Sequence, residues 1–255
     1  MRSLHITPTL ALVLGLGTAC QSPTSDPGLS LLSAGADSPA STTSGHAASE
    51  PVNPVNFPGG STNRLFPLIP ATSFSYAGET DGVPTTGLMT VTASTKMILG
   101  VTTIVVHDQA WEDGDLVEDT FDWYAEDRRG NVWYFGEYVT QLDHGQIIGH
   151  VGSWEAGVDG AVAGIIMPAA PKRGKTYQQE LAPGVAEDQM KVVSLDATVT
   201  VPYGTLRGCL KTEEFTPLHP DLLDHKFHCP GIGLVRGVAV VGAPEIYSLT
   251  HLTQP

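Results

Sequence analysis

From Asn63 to the C-terminus, the chain is a series of short runs rich in β-branched and aromatic residues, cut at close intervals by Gly, Pro, Asn and Asp. That punctuation reads as strands joined by tight turns. The runs cover 73–77, 87–93, 96–108, 116–125, 132–139, 146–154, 190–201, 209–215, 226–229 and 233–241. Glu112-Asp113-Gly114-Asp115 and the stretch from Asp127 to Asn131 are hairpin signals. Helical periodicity is weak, with room for one turn at 186–191. The expected fold is therefore mainly β: a single antiparallel curved sheet, as a half-barrel or sandwich, with few short helices.

The N-terminus has a different character. One cation, Arg2, precedes the apolar stretch 10–16, and Gly17-Thr18-Ala19 supplies small residues for a signal peptidase. The apolar run is too short for a bilayer span of ~20 residues. Residues 1–19 thus read as a signal peptide. Residues 20–62 are Ser, Thr, Pro, Gly, Ala and Asp with hardly an aromatic, a composition that cannot offset its chain entropy by burial and serves as a tether. Residues 63–255 form the β-rich domain, long enough for one substantial core.

Two of the three cysteines lie in that domain. If Glu214 pairs with Asp224 across a hairpin, antiparallel register sets Cys209 opposite Cys229, at a separation that suits a disulfide. An oxidising compartment would keep that bond.

The chain carries 27 acids against 13 Lys and Arg, a net charge of −14. Such a surface repels nucleic acid. There is no G-x-S-x-G elbow, H-E-x-x-H pair, Walker loop, Rossmann fingerprint or C-x-x-C, which argues against serine hydrolases, kinases and nicotinamide enzymes.

What remains is an acidic, aromatic block. Between Asp108 and Asp127 stand nine acids and no Lys or Arg. Centring the first hairpin between Asp113 and Gly114 sets His107 opposite Thr120. Centring the second near Arg129-Gly130 sets Asp122 opposite Glu137. His107, Thr120, Asp122, Tyr124, Phe135 and Glu137 are then expected on one face, with Ile104, Val106, Phe121, Trp123 and Tyr134 on the core face. His107, Asp122 and Glu137, walled by Tyr124, Trp133 and Phe135, would suit a divalent metal, joined by His225 from another strand. Without metal, the two carboxylates could act as general acid and base. Trp154 and Glu155 lie in a loop-rich stretch where ligand-binding residues are often found.

Several motifs carry a resemblance. Phe66-Pro67-Leu68-Ile69-Pro70 with Tyr76 resembles an FPL-x-PG-x-x-W-x-Y opening, here without its Gly. The stretch Val201-Pro202-Tyr203-Gly204-Thr205-Leu206 with Cys209-Leu210 resembles VPxGTF-x-x-CL, and Cys229-Pro230-Gly231-Ile232-Gly233-Leu234-Val235 resembles APGVGLV. Together they resemble a group of secreted bacterial proteins, mostly lipoproteins. Ala19-Cys20 likewise resembles a lipobox, with Leu16 one place early; Gln21 and Ser22 after it favour the outer membrane where the host has one. The resemblance implies acylation of Cys20, membrane attachment through that lipid, and a β-dominated fold akin to the half-barrels of periplasmic lipid carriers. It implies no activity.

The expected protein is an extracytoplasmic lipoprotein whose curved sheet binds a small apolar or aromatic ligand, or a lipid. The alternatives are a hydrolase or lyase using His107, Asp122 and Glu137, and a structural protein of the envelope.

Overall fold

A computed structural model describes residues 52–255. The signal peptide and Cys20 lie outside the described residues, as does the tether up to Pro51.

Fifteen strands form one antiparallel sheet: β1 (Ser73–Thr80), β2 (Val83–Ile98), β3 (Val101–Glu112), β4 (Asp115–Glu126), β5 (Val132–Asp143), β6 (Gln146–Gly149), β7 (Trp154–Glu155), β8 (Val162–Met167), β9 (Thr176–Gln178), β10 (Glu180–Leu181), β11 (Gln189–Val201), β12 (Gly204–Thr216), β13 (His219–Cys229), β14 (Gly233–Val241) and β15 (Glu245–Thr253). The sheet is curved and open, neither a closed barrel nor a sandwich. Its path begins on β10 and ends on β9, which are joined through Gln179, so its two edges meet around that residue. Gly164 allows the crossing, because a Cβ there would lie 2.2 Å from the Gln179 carbonyl oxygen.

Several expectations change, among them the run 146–154, which forms β6 and β7 with residues 150–153 between them. The run 96–108 is not one strand: Leu99 and Gly100 both take positive φ and split it into the end of β2 and the start of β3. The turn expected at 186–191 is an isolated bridge at Ala186 followed by β11, and the described residues contain one 3₁₀ turn (Pro54–Asn56) and no α-helix. Strands β8, β9, β10 and β15 have no counterpart in the sequence reading. The first three are short and the last lies at the chain end, so each carries little periodic signal of its own.

The inner face of the sheet holds the large side chains Phe74, Tyr76, Tyr124, Tyr134 and Leu249, all fully buried. Each contributes roughly 1.5–3 kcal/mol by leaving water. Residues 61–70 form a strap across this face. The Glu126 carboxylate anchors one end, accepting the backbone N–H groups of Thr62 and Asn63 and the Thr62 hydroxyl. At the other, Gly231 N–H in the β13–β14 turn donates to Arg64 O at 2.7 Å. Between these ties, Phe66 meets Tyr124 edge-on at 5.1 Å and lies over His228 at 6.4 Å. On the outer face, Phe57 packs edge-on against Trp133 and Phe135, so residues 52–62, grouped by composition with the tether, lie against the sheet.

Candidate functional site

The β3–β4 turn forms as its Asp-Gly pair dictates, with Glu112 opposite Asp115 and Trp111 opposite Leu116. One residue further on, a bulge at Val117 advances β4, so Ala110 faces Glu118 and His107 faces Phe121 instead of Thr120. Because side chains alternate, that single extra residue exchanges the two faces. Asp108, Val106 and Ile104 turn inward with Thr120, Asp122 and Tyr124. His107, Phe121 and Trp123 turn outward.

A second bulge acts on β5. Asp122 does face Glu137, but Tyr124 faces Tyr134, with Phe135 and Gly136 accommodated between. Tyr134 therefore joins the inner face and stacks on Tyr124 at 4.7 Å, while Phe135 and Trp133 go outward. Gly136 (φ 131°) is required here: a Cβ would sit 2.2 Å from Trp154 O, where β7 docks on the bulge.

The expected constellation is thus divided. Asp122, Glu137, Tyr124 and Trp154 share the inner face. His107 lies outside it, stacked on Phe121 at 4.3 Å and bonded to Asp119 at 2.6 Å. Glu155 is also outside, 2.7 Å from Lys96, whose ammonium sits 3.2 Å from the Trp123 ring centroid. His225 points outward near Glu213 at 3.9 Å. Among the described residues no three His, Cys, Asp or Glu side chains are placed to hold a metal ion.

The inner face instead gathers, around the expected pair Asp122 and Glu137, further acids that the linear reading did not connect to them. On β3 to β5 the set is Asp108, Glu118, Asp122 and Glu137, all buried, and Glu180 joins them from β10. Burial drives every one of these carboxyls upward: Asp122 to about 7, Glu118 to about 8, and Asp108, Glu137 and Glu180 well above the usual range. Neighbouring carboxylates add to the shift at Asp108, Glu137 and Glu180. Tyr134 counteracts it at Asp122 by donating its hydroxyl to Oδ1 at 2.6 Å. Burial thus favours the protonated form of each of these carboxyls.

Across the interior, Glu214 and Asp224 face one another on β12 and β13, as the disulfide register requires. Lys226 and His228 lie on the same face. The Lys226 ammonium is 2.8 Å from Glu214, and both side chains are buried. His228 is buried and neutral, its pKa pushed down to about 4 by desolvation. The signal for Lys226 was in the register already read from the cysteines, which sets it two residues from Asp224 on the same face. Cys209 and Cys229 form the disulfide, with Cα atoms 4.3 Å apart.

Between the strap and this arm lies a narrow cleft, part of it open to solvent. Phe66, Leu68, Phe74, Val91, Val106 and Leu234 give it apolar walls, and Gln179, Glu214, Lys226 and His228 give it a polar end. Phe66 and Leu68 narrow it from above.

Two solved structures are similar over 76% of this chain and the whole of theirs. One is a Bacteroides fragilis protein described as exported, with a YmcC-like fold, at 14% identity and a TM-score of 0.40. The other is a Parabacteroides distasonis protein described as a lipoprotein, at 11% identity and a TM-score of 0.43. No family model matches the chain, and no curated protein does.

Proposed function

We propose that the protein is a lipid-anchored, extracytoplasmic binding module whose interior cleft takes a small ligand with an apolar body and a neutral hydrogen-bonding end. Export and anchoring are supported by the leader, by Cys20 after Gly17-Thr18-Ala19, and by the polar tether. The Cys209–Cys229 disulfide is of the kind that oxidising compartments preserve. Gln21 and Ser22 after the cysteine favour the outer membrane where the host has one.

The observation that carries the ligand class is the cleft itself: apolar along its length and polar only around Lys226 and His228. Lys226 already has a carboxylate at 2.8 Å, so an anionic headgroup meets no spare cation. A cationic one would compete with Lys226. Neutral His228, whose Nδ1 has no protein hydrogen-bond partner, is free to bind a hydroxyl or amide. Entry requires Phe66 and Leu68 to move aside.

Titration with N-phenyl-1-naphthylamine, a neutral apolar probe, is expected to give saturable fluorescence that Val106→Phe weakens by filling the cleft. Fluorescence that never saturates, or that Val106→Phe leaves unchanged in a folded protein, overturns the reading. Lipid extracts of protein purified from the periplasm would then identify the natural ligand by mass spectrometry.

A further inference from the structure

Four hairpins turn on two residues that both have positive φ: Asp81-Gly82, Leu99-Gly100, Asp113-Gly114 and His144-Gly145. This conformation suits Asn, Asp and Gly, and three of the four turns begin with a polar residue. Leu99, at φ 50°, is the exception, and its side chain is 48% exposed. A branched apolar residue held in a disfavoured conformation with half its surface in water is an outlier that asks for a reason.

Leu99 has company. Met97 is 63% exposed, Val55 69% and Val158 49%. The contacts that bring them together are specific. Leu99 lies over Gly157, where a Cβ would come within 2.6 Å of its Cδ2, and Pro54 lies beside Gly100. Arg128 donates its Nε to Val55 O and its backbone N–H to Asn56 O, both at 2.8 Å. Residues 54–56 therefore lie beside the exposed Leu99 turn and the exposed cations Arg128 and Arg129.

We propose that this end of the domain is a membrane-contacting surface, with Met97, Leu99, Val55 and Val158 seated at the boundary between headgroups and acyl chains of a bilayer. This rests on the reading of Cys20 as a lipid anchor. Three features single out the bilayer as occupant. Residues 21–51 link Cys20 to this end of the domain in the chain. Apolar tips flanked by arginines match the interfacial pattern, in which apolar groups insert and cations meet phosphates. A chain of net charge −14 is held off an anionic surface everywhere except where its cations cluster, which orients the domain. A second exposed apolar group, Ile147 and Ile148 in the β5–β6 hairpin, sits at the opposite end of the sheet and serves as a control.

The test is flotation of the mature Cys20→Ser chain with mixed phosphatidylethanolamine and phosphatidylglycerol vesicles at low salt. The bound fraction is expected to fall roughly five-fold or more in Met97→Ser/Leu99→Asn and to stay unchanged in Ile147→Ser/Ile148→Ser. Asn suits the left-handed turn, so the first variant should keep its urea midpoint. Absence of wild-type flotation, or equal loss in both variants, overturns the proposal. Radiolabelled palmitate incorporation at Cys20 tests the anchor separately. Labelling without flotation overturns the surface alone; flotation without labelling supports the surface while removing the anchor.

Discussion

The two arms of the sheet bury carboxyl groups at similar depth and neutralise them differently. On β3 to β5 and β10, no cation among the described residues forms an ion pair with the cluster, and burial favours the protonated acids, raising Asp122 to about 7 and Glu118 to about 8. On β12 and β13, the Lys226 ammonium stands 2.8 Å from Glu214. Its field also restrains Asp188, which burial raises only to about 6. A buried charge must be paired or neutralised. This interior uses both solutions, and they respond oppositely to mutation and to pH.

The largest expected effect comes from removing that cation. Lys226→Met leaves Glu214 buried without its partner and should cost about 3–5 kcal/mol in urea unfolding at neutral pH. A loss below about 1 kcal/mol would mean that the Lys226–Glu214 pair does not hold this arm and that the two arms do not differ.

Next comes the covalent tie of the same arm. Cys209→Ala/Cys229→Ala should cost about 3 kcal/mol, because the bond closes a loop across 20 positions of sequence. The reduced wild type should show the same loss.

The proton-neutralised arm sets the pH response. Carboxyls whose folded pKa is raised bind protons more tightly in the native state than in the unfolded chain. Their contribution is complete below the unfolded value near 4 and is lost as pH rises through about 7 to 8. His228, depressed to about 4, acts the other way: its share is lost as pH falls below about 6.5 toward 4. The raised carboxyls outnumber it, so the urea midpoint should fall between pH 6 and pH 8.5. Glu118→Gln keeps an acceptor for the Thr120 hydroxyl, which donates to Oε1 at 3.2 Å, and should recover about 1–3 kcal/mol at pH 8.5 while changing little at pH 5. Midpoints flat over that range would show that these acids are not held neutral.

The smallest effect is expected outside. His107 and Asp119 are as close as Lys226 and Glu214, but both are partly exposed. His107→Ala should therefore cost no more than about 1 kcal/mol. It should also leave any zinc content measured by elemental analysis unchanged, since no metal set forms around it.

Much of this architecture was legible in the chain. Asp113-Gly114 marked the first hairpin, and Glu214 opposite Asp224 led to the disulfide. Asp122 opposite Glu137 was also read correctly. These are local matters, settled by turn chemistry and by counting outward from a turn. The composition of the site was not local. His107 was expected on the same face as Asp122, opposite the core; one residue of bulge at Val117 separated the two, and Asp122 turned into the core with Asp108. The bulge at Phe135-Gly136 likewise exchanged Phe135 for Tyr134. A period of two makes face assignment depend on every residue between turn and site; the Val117 bulge has no marker in the sequence, whereas Gly136 inside β5 marks the second, and the strand reading did not use it.

By itself, then, the sequence determined a β-rich chain, its main hairpins, its cysteine pairing and its acidic character, because each follows from residues close together or from composition. Only the tertiary structure decided which acids share the interior, that Lys226 pairs with Glu214 there, and that the strap at Phe66 and Leu68 lies over the cleft. Those outcomes depend on bulges, on the meeting of β9 and β10 at Gln179, and on contacts between residues such as Asn63 and Glu126 that lie far apart in the chain. Burial then moved the pKa values, and burial is a property of the packed fold.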